Sequence, residues 1–316
     1  MNILVIGGTG HSGGFLVRDL VAQGHNVMCV SRGETDPSVT GHFWQEVQHV
    51  HFERERAEED GQLPDLLDDF RPEVVVDIIC YEPESARKLF GWLNGKAEHV
   101  IHVGTAWIYG SPQKVPTPED YRGVPLNDYA RKKLAIQDFY LARFEQDGFP
   151  VTIVNPTQIT GAGKPFVTPE GDKDLSYLEL MMAGQPVPLP ARGEPLVQHV
   201  HPSDVARVIR LAIEKRPAAV GRVYNASSAW ALTYRGLFVF LRDHLQSPSR
   251  PQLLSLDEYQ EQYGPNETVR QHMIQSSCVD IRRAASELGY TPAYTAEQAV
   301  IDALADLIAR GELKKP

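Results

Sequence analysis

The sequence predicts an α/β protein, a doubly wound parallel sheet with a smaller, mostly helical C-terminal lobe. Three observations carry that expectation. The chain opens on a short apolar strand, Asn2-Ile3-Leu4-Val5-Ile6, that runs directly into the glycine-rich turn Gly7-Gly8-Thr9-Gly10-His11-Ser12-Gly13. Short apolar runs and amphipathic stretches then alternate through the first half, which implies right-handed crossovers and a parallel sheet covered on both faces. The C-terminal third loses that regularity and reads as mostly helical.

In chain order, further strands are expected at 26–30, 49–52, 73–79, 99–104, 151–155 and 222–225. Helices are expected over 15–22, 127–146, 203–215 and 296–310, of which 127–146 has the best pattern. The charged stretch 53–60, which contains Arg54 and Arg56 among its acids, reads as a solvated loop. Pro and Gly crowd residues 161–195, a composition expected to leave the sheet as a substrate loop or small lobe. The resulting division is 1–163 with 199–225 for the sheet domain, and 164–198 with 226–316 for a discontinuous lobe.

Bulk properties set limits. A chain of 316 residues suits one large α/β unit or a cofactor domain with a smaller partner. A net charge of −10 gives no general attraction to nucleic acid or an anionic membrane. No apolar run has the length of a membrane span, and a strand starting at residue 2 leaves no room for a signal peptide, so a cytoplasmic protein is expected. Cys29, Cys80 and Cys278 are far apart and show no metal or disulfide spacing. The pairs His49/His51 and His199/His201 lack a third ligand at a suggestive distance, so packing or capping is expected and no metal.

The turn carries the first chemistry. Its glycines permit a tight bend and let the backbone approach a pyrophosphate, which would rest on the amides of a helix N-terminus. Gly7, Thr9, Gly10, His11, Ser12 and Gly13 are the expected cradle, spaced G-x-x-G-x-x-G. A rival motif overlaps it, because Gly10-His11-Ser12-Gly13-Gly14 fits the G-x-S-x-G elbow of serine hydrolases. Its position argues against Ser12 as a nucleophile, since such an elbow follows several strands rather than the first.

The second constellation is Tyr129-Ala130-Arg131-Lys132-Lys133. Tyr129 and Lys133, four apart on a helix, share a face. A lysine ammonium beside a phenol stabilises the phenolate, so the tyrosine can exchange a proton with a hydroxyl or carbonyl. Upstream, Thr105 closes the expected strand 99–104, and a hydroxyl there faces the crevice where parallel sheets hold ligands.

With these residues in place, the chain resembles the extended short-chain dehydrogenase/reductase family, which holds nucleotide-sugar epimerases and dehydratases on a Rossmann sheet. The matching segments are the glycine turn, Thr105-Ala106-Trp107-Ile108-Tyr109-Gly110, Tyr129-x-x-x-Lys133, Asn155-Pro156 with Gly161-Ala162-Gly163, His201-Pro202-Ser203-Asp204-Val205-Ala206, Gly221-Arg222-Val223-Tyr224-Asn225 and Glu287-Leu288-Gly289-Tyr290-Thr291-Pro292. The resemblance implies an NAD(P)-dependent oxidoreductase or epimerase acting on a secondary alcohol or ketone of a sugar-like substrate. In it Tyr129 is the proton donor or acceptor, Lys133 its pKa-lowering partner and a ribose ligand, and Thr105 the hydrogen-bond partner of the reacting oxygen. It places Cys80 and Pro156 at the cofactor, Tyr81 and Trp107 as pocket walls, and Asn155 at the substrate diphosphate. Glu53 falls where relatives hold an Asp near the adenine. A homodimer through the Tyr129 helix and the preceding one is also implied.

Departures narrow the expectation. Ala106-Trp107 stand where dehydratases place an acid pair, and Leu196-Val197 stand where an arginine is common, which moves the expected diphosphate clamp to Arg192. Val30-Ser31-Arg32-Gly33 ends the second strand with a hydroxyl and a guanidinium instead of a carboxylate. Arg32 there suits a 2′-phosphate, so NADP is favoured over NAD, with Ser31 and Arg32 as ligands. The alternative from another class is a non-catalytic nucleotide-sensing or RNA-associated binding protein. The complete Thr105, Tyr129 and Lys133 set and the acidic charge speak against it.

Overall fold

The computed structural model describes residues 1–34, 36–166, 168–171 and 174–313. Within the expected lobe, residues 167, 172, 173 and 314–316 lie outside the described residues. Seven strands form one parallel sheet: β1 (Asn2–Ile6), β2 (Asn26–Ser31), β3 (Gln48–His51), β4 (Val74–Asp77), β5 (His99–Val103), β6 (Val151–Pro156) and the strand Val223–Ala226. Their spatial order is Val223–Ala226, β6, β5, β4, β1, β2, β3. The order reverses between β1 and β4, and the crevice above such a switch point is where this architecture holds ligands.

Helices cover both faces because the central strands are apolar on both sides. On one face α1 (His11–Ala22) and α6 (Pro202–Glu214) pack Leu16, Val17, Leu20, Val205, Ile209 and Ala212 against Ile3, Val5, Val74 and Val76. On the other, α2 (Arg54–Glu59), α3 (Gln62–Phe70), α4 (Pro83–Leu93) and α5 (Asp128–Asp147) cover Leu4, Ile6, Val75, Val100 and Ile153. A third core belongs to the lobe, where Tyr177, Met181, Leu189, Leu237, Phe238, Leu241, Val300 and Leu304 meet. No helix among the described residues is long and apolar enough to cross a membrane.

Two local expectations are corrected. Helix α1 starts at His11, four residues before the expected 15, because the last glycines of the turn are already helical. The stretch 53–60 is not a solvated loop. Glu53 caps α2 by accepting from the amides of Glu55 (3.1 Å) and Arg56 (2.8 Å). Arg54 and Glu58 are then 6% and 7% exposed. Mutual pairing permits that burial: Arg54 Nε donates to Glu58 Oε1 at 2.7 Å and Nη1 to Asp77 Oδ1 at 2.6 Å.

Candidate active site

A cleft of about 330 Å³ lies over the C-terminal ends of β1, β4, β5 and β6. Its floor is the glycine turn. Gly7 has φ +88°, and a Cβ on Gly13 would stand 2.6 Å from the Gly7 carbonyl oxygen and 2.8 Å from Gly8 Cα, so neither position tolerates a side chain. Gly10 is different: a Cβ there meets only the Gly7 carbonyl oxygen, at 3.5 Å, leaving that surface open to a ligand. Gly10 also precedes α1 without a side-chain cap, and no acid occupies the first turn. The positive end of α1 therefore points into the cleft with free amides. Ser12 is 6% exposed and its buried Oγ has no hydrogen-bond partner. An open glycine surface, uncapped amides and an orphaned hydroxyl fit a dinucleotide diphosphate. They do not fit a serine nucleophile, which needs a base on that hydroxyl.

The walls bring most of the expected residues together. Tyr81, Thr105, Trp107, Tyr129, Lys133 and Pro156 line the same cleft as Gly7, Gly10, His11, Ser12 and Gly13. Asn127 caps α5, accepting from the Ala130 amide at 2.8 Å, and so sets where Tyr129 and Lys133 emerge. Thr105 accepts from the Trp107 amide at 3.3 Å, and its side chain stands beside the Tyr129 phenol. Burial, partly offset by the Thr105 hydroxyl, pushes the phenol up to about 12. Lys133, 1% exposed, donates to the Val103 carbonyl at 2.8 Å and lies 4.9 Å from the Tyr81 ring centre. Burial lowers its ammonium to about 8. The two residues share a face as expected, but Lys133 gives its proton to the sheet rather than to the phenol.

Other expected residues lie elsewhere. Asn155 is fully buried beneath the cleft, its Oδ1 accepting from the Thr105 amide at 3.0 Å and its Nδ2 donating to Gln137 at 2.9 Å. Its amide is spent on positioning Thr105, so it is not placed to touch a substrate diphosphate. Arg192 sits in a turn of the lobe at φ 56° and is absent from the cleft lining. Thr9 lies outside that lining too, its carbonyl accepting from Ser38 N at 3.0 Å. Cys80 is buried behind the wall, its thiol pushed up to about 12 by burial. His11 reaches across to the Gly163 carbonyl, tying the turn to the loop of the lobe, and burial lowers its imidazole.

Sequence reasoning missed Gln158 and Lys164, which line the cleft beside Thr157 and Ile159. Gln158 was legible in one respect: a polar residue three positions past the apolar strand 151–155 falls at the sheet's C-terminal edge. Nothing marked Lys164, which depends on how 161–164 folds back. The paired histidines have local partners. His51 Nδ1 is 3.4 Å from Ser31 Oγ, Trp44 packs on His49, Phe166 on His199, and His201 bonds Ser203 and Asp302.

A second recess of about 320 Å³ adjoins the cleft and shares Ile79 and Tyr81 with it. Arg32, Glu53, Arg54, Glu55, Glu82 and Ser85 line the rest. Arg32 is exposed and pairs with Glu34 at 3.2 Å, whereas Ser31 is buried behind. The recess follows the ends of β2 and β3, where this sheet places the adenosine half of a dinucleotide.

A cradle for a diphosphate at the switch point, beside a tyrosine and lysine one helical turn apart, defines a dinucleotide-binding protein of the extended short-chain dehydrogenase/reductase type. The model of the NAD dependent epimerase/dehydratase family matches residues 3–227, and the chain belongs to that family. The chain spans about half the length of the first curated relatives it matches. One is a UDP-glucose 4-epimerase of Lactobacillus helveticus, 26% identical over 179 residues that cover 51% of this chain and 53% of that protein. The chloroplast stem-loop binding protein of 41 kDa b of Arabidopsis thaliana is 24% identical over 324 residues, covering 99% of this chain and 81% of that protein. A solved UDP-glucose 4-epimerase of Thermotoga maritima, crystallised with UDP-glucose, has the same fold. Its TM-score is 0.76 at 21% identity, over 98% of this chain and 99% of that one.

Proposed function

We propose that this chain moves a hydride between a nicotinamide dinucleotide and a secondary alcohol or ketone of a sugar-like small molecule. The observation that carries the reading is that Thr105, Tyr129 and Lys133 meet in the cleft that also holds the open N-terminus of α1. When bound, the nicotinamide supplies the hydride acceptor or donor. The residues do the rest. The amides after Gly10 and the Ser12 hydroxyl hold the diphosphate, and Lys133 turns from the Val103 carbonyl to the nicotinamide ribose. Thr105 orients the reacting oxygen, and Tyr129 gives it a proton or takes one. With the ammonium turned upward, the phenol falls from its buried value toward neutrality.

Denaturing the purified protein and identifying any released nucleotide tests the reading directly. Retained nucleotide supports an epimerase that recycles its cofactor; an empty protein that binds and oxidises the reduced cofactor supports a reductase. Binding of neither abandons the enzymatic reading. Tyr129→Phe is expected to lose turnover by at least about a hundredfold while keeping nucleotide affinity. Retained turnover removes Tyr129 from the mechanism.

For the cofactor, Arg32 supports NADP(H), its guanidinium being exposed and paired with the equally exposed Glu34. The carboxylates of Glu53, Glu55 and Glu82 around the same recess favour a ribose without the extra phosphate, which is the second reading. Dissociation constants for NADPH and NADH decide between them, and Arg32→Ala should weaken NADPH alone if the first holds. We further propose a homodimer through α4 and α5, tested by light scattering, and a reducing cytoplasm, in keeping with three free thiols. The likeness to a stem-loop binding protein over 99% of the chain supports a rival RNA-associated role. A gel shift with stem-loop RNA at physiological salt tests it, and no shift is expected at a net charge of −10.

A further inference from the structure

We infer that Asp77, clasped by Arg54, is a positioning residue that holds Lys133 in its charged form from beneath the cleft. The inference rests on reading Lys133 as part of a nicotinamide site. Asp77 ends β4, is fully buried, and pairs in register with His102 of β5. Each lies two residues past a valine, Val75 or Val100, that packs under α5, so both side chains project toward that helix. Lys133, Ile136 and Tyr140 repeat at helical spacing along the facing side of α5.

A fold built only for stability would fill this layer with hydrocarbon. Instead Asp77 Oδ2, both ring nitrogens of His102, the Tyr140 hydroxyl and Arg54 Nη2 are all buried without a hydrogen-bond partner. Each such atom costs on the order of 1–3 kcal/mol, which argues for a role other than packing. Arg54 binds the carboxylates of Glu58 and Asp77 within 2.7 Å, and Lys88 adds a longer contact to Glu58 at 3.8 Å, so Glu58 is shared between two cations while Asp77 Oδ2 keeps no hydrogen-bond partner.

The remaining groups around Lys133 are neutral. The Cys80 thiol is pushed up to about 12 and the His102 imidazole well below its usual value, both first by burial. Tyr81, under the ammonium, and Tyr129, on the same helix, are phenols raised by burial as well. Against the desolvation of Lys133 stand Cys80 and then Asp77, with Arg54 opposing them; because the Cys80 thiol is itself pushed up to about 12, Asp77 is the carboxylate left to offset that burial. Without Asp77 the ammonium would shed its proton at lower pH and could no longer act as a cation toward a ribose or phenolate.

The test is a pH titration of lysine side chains by NMR with ¹³C-labelled lysine, the Lys133 resonance being the one lost in Lys133→Met. Asp77→Asn should move its midpoint from about 8 to lower pH by roughly one unit or more. Arg54→Met, which frees Asp77 from its clasp, should move it upward. A merely structural pair would not shift the midpoint in opposite senses. If Asp77→Asn does not fold, the sign of the Arg54→Met shift decides alone, and an unchanged or lowered midpoint overturns the inference. NADH and NADPH binding is measured on the same samples. Shifts as expected without nucleotide binding uphold the counter-charge and sink the functional reading; binding with an unmoved Lys133 does the reverse.

Discussion

At the scale of single residues, the site is held by small groups that cannot change size. Gly104 shows this most sharply. A Cβ there would stand 2.1 Å from Asn155 Oδ1, the atom that accepts from the Thr105 amide. Gly104→Ala must push the Asn155 amide away and loosen Thr105 with it. We expect a loss of about 1–3 kcal/mol in urea unfolding, together with lost turnover. An alanine variant of native stability and activity would show that Asn155 has room to move. The sequence marked this glycine only as the end of a strand; its reason is a side chain that arrives 51 residues later.

Among elements, the helices around the candidate site are fixed by caps and stitches rather than by propensity. Asn127 caps α5 and also donates to Gln271 at 2.9 Å, joining the sheet domain to the lobe. Asp204 of α6 is buried, and burial raises its carboxyl even though it accepts from the amides of Ala293 (2.8 Å) and Tyr294 (3.0 Å). Those bonds lead into the C-terminal helix Ala296–Ala309, whose Asp302 and Asp306 accept from the Ala162 and Gly163 amides at 2.7 Å. Asp204→Ala would orphan two amides and should cost about 3 kcal/mol, read as a lowered urea midpoint. Because the loop 161–164 hangs on that helix, the same variant should also weaken nucleotide binding. Unaltered binding would separate the stitch from the site.

For the whole molecule, the buried histidines of β5 tie stability to pH. His99 is fully buried against Thr152 at 2.8 Å, and burial lowers its imidazole to about 4; His102 is lowered further in direction. In the unfolded chain both titrate near 6.5. Below that pH the unfolded state takes up protons that the folded state refuses, so stability falls with acidification. For His99 the fall runs from about 6.5 to about 4 and then levels, as the folded imidazole protonates too. The melting temperature should drop across that window, and His99→Gln should flatten the drop. An equal slope in the variant would assign the effect to other groups.

The sequence by itself determined the sheet. All seven central strands lie within a few residues of the apolar runs that predicted them, because a strand buried on both faces must be apolar throughout. It also determined the ligand class, since glycines at a strand-to-helix turn and a tyrosine and lysine four apart are local patterns with local causes. What it could not determine were relations between distant segments. That Asn155 serves Thr105 and not a substrate, that Gln158 and Lys164 line the cleft, and that Arg54 is buried were all decided by packing. A charged residue written among charges reads as solvated, and only the tertiary structure brings Asp77, 23 residues further on, to within 2.6 Å of it.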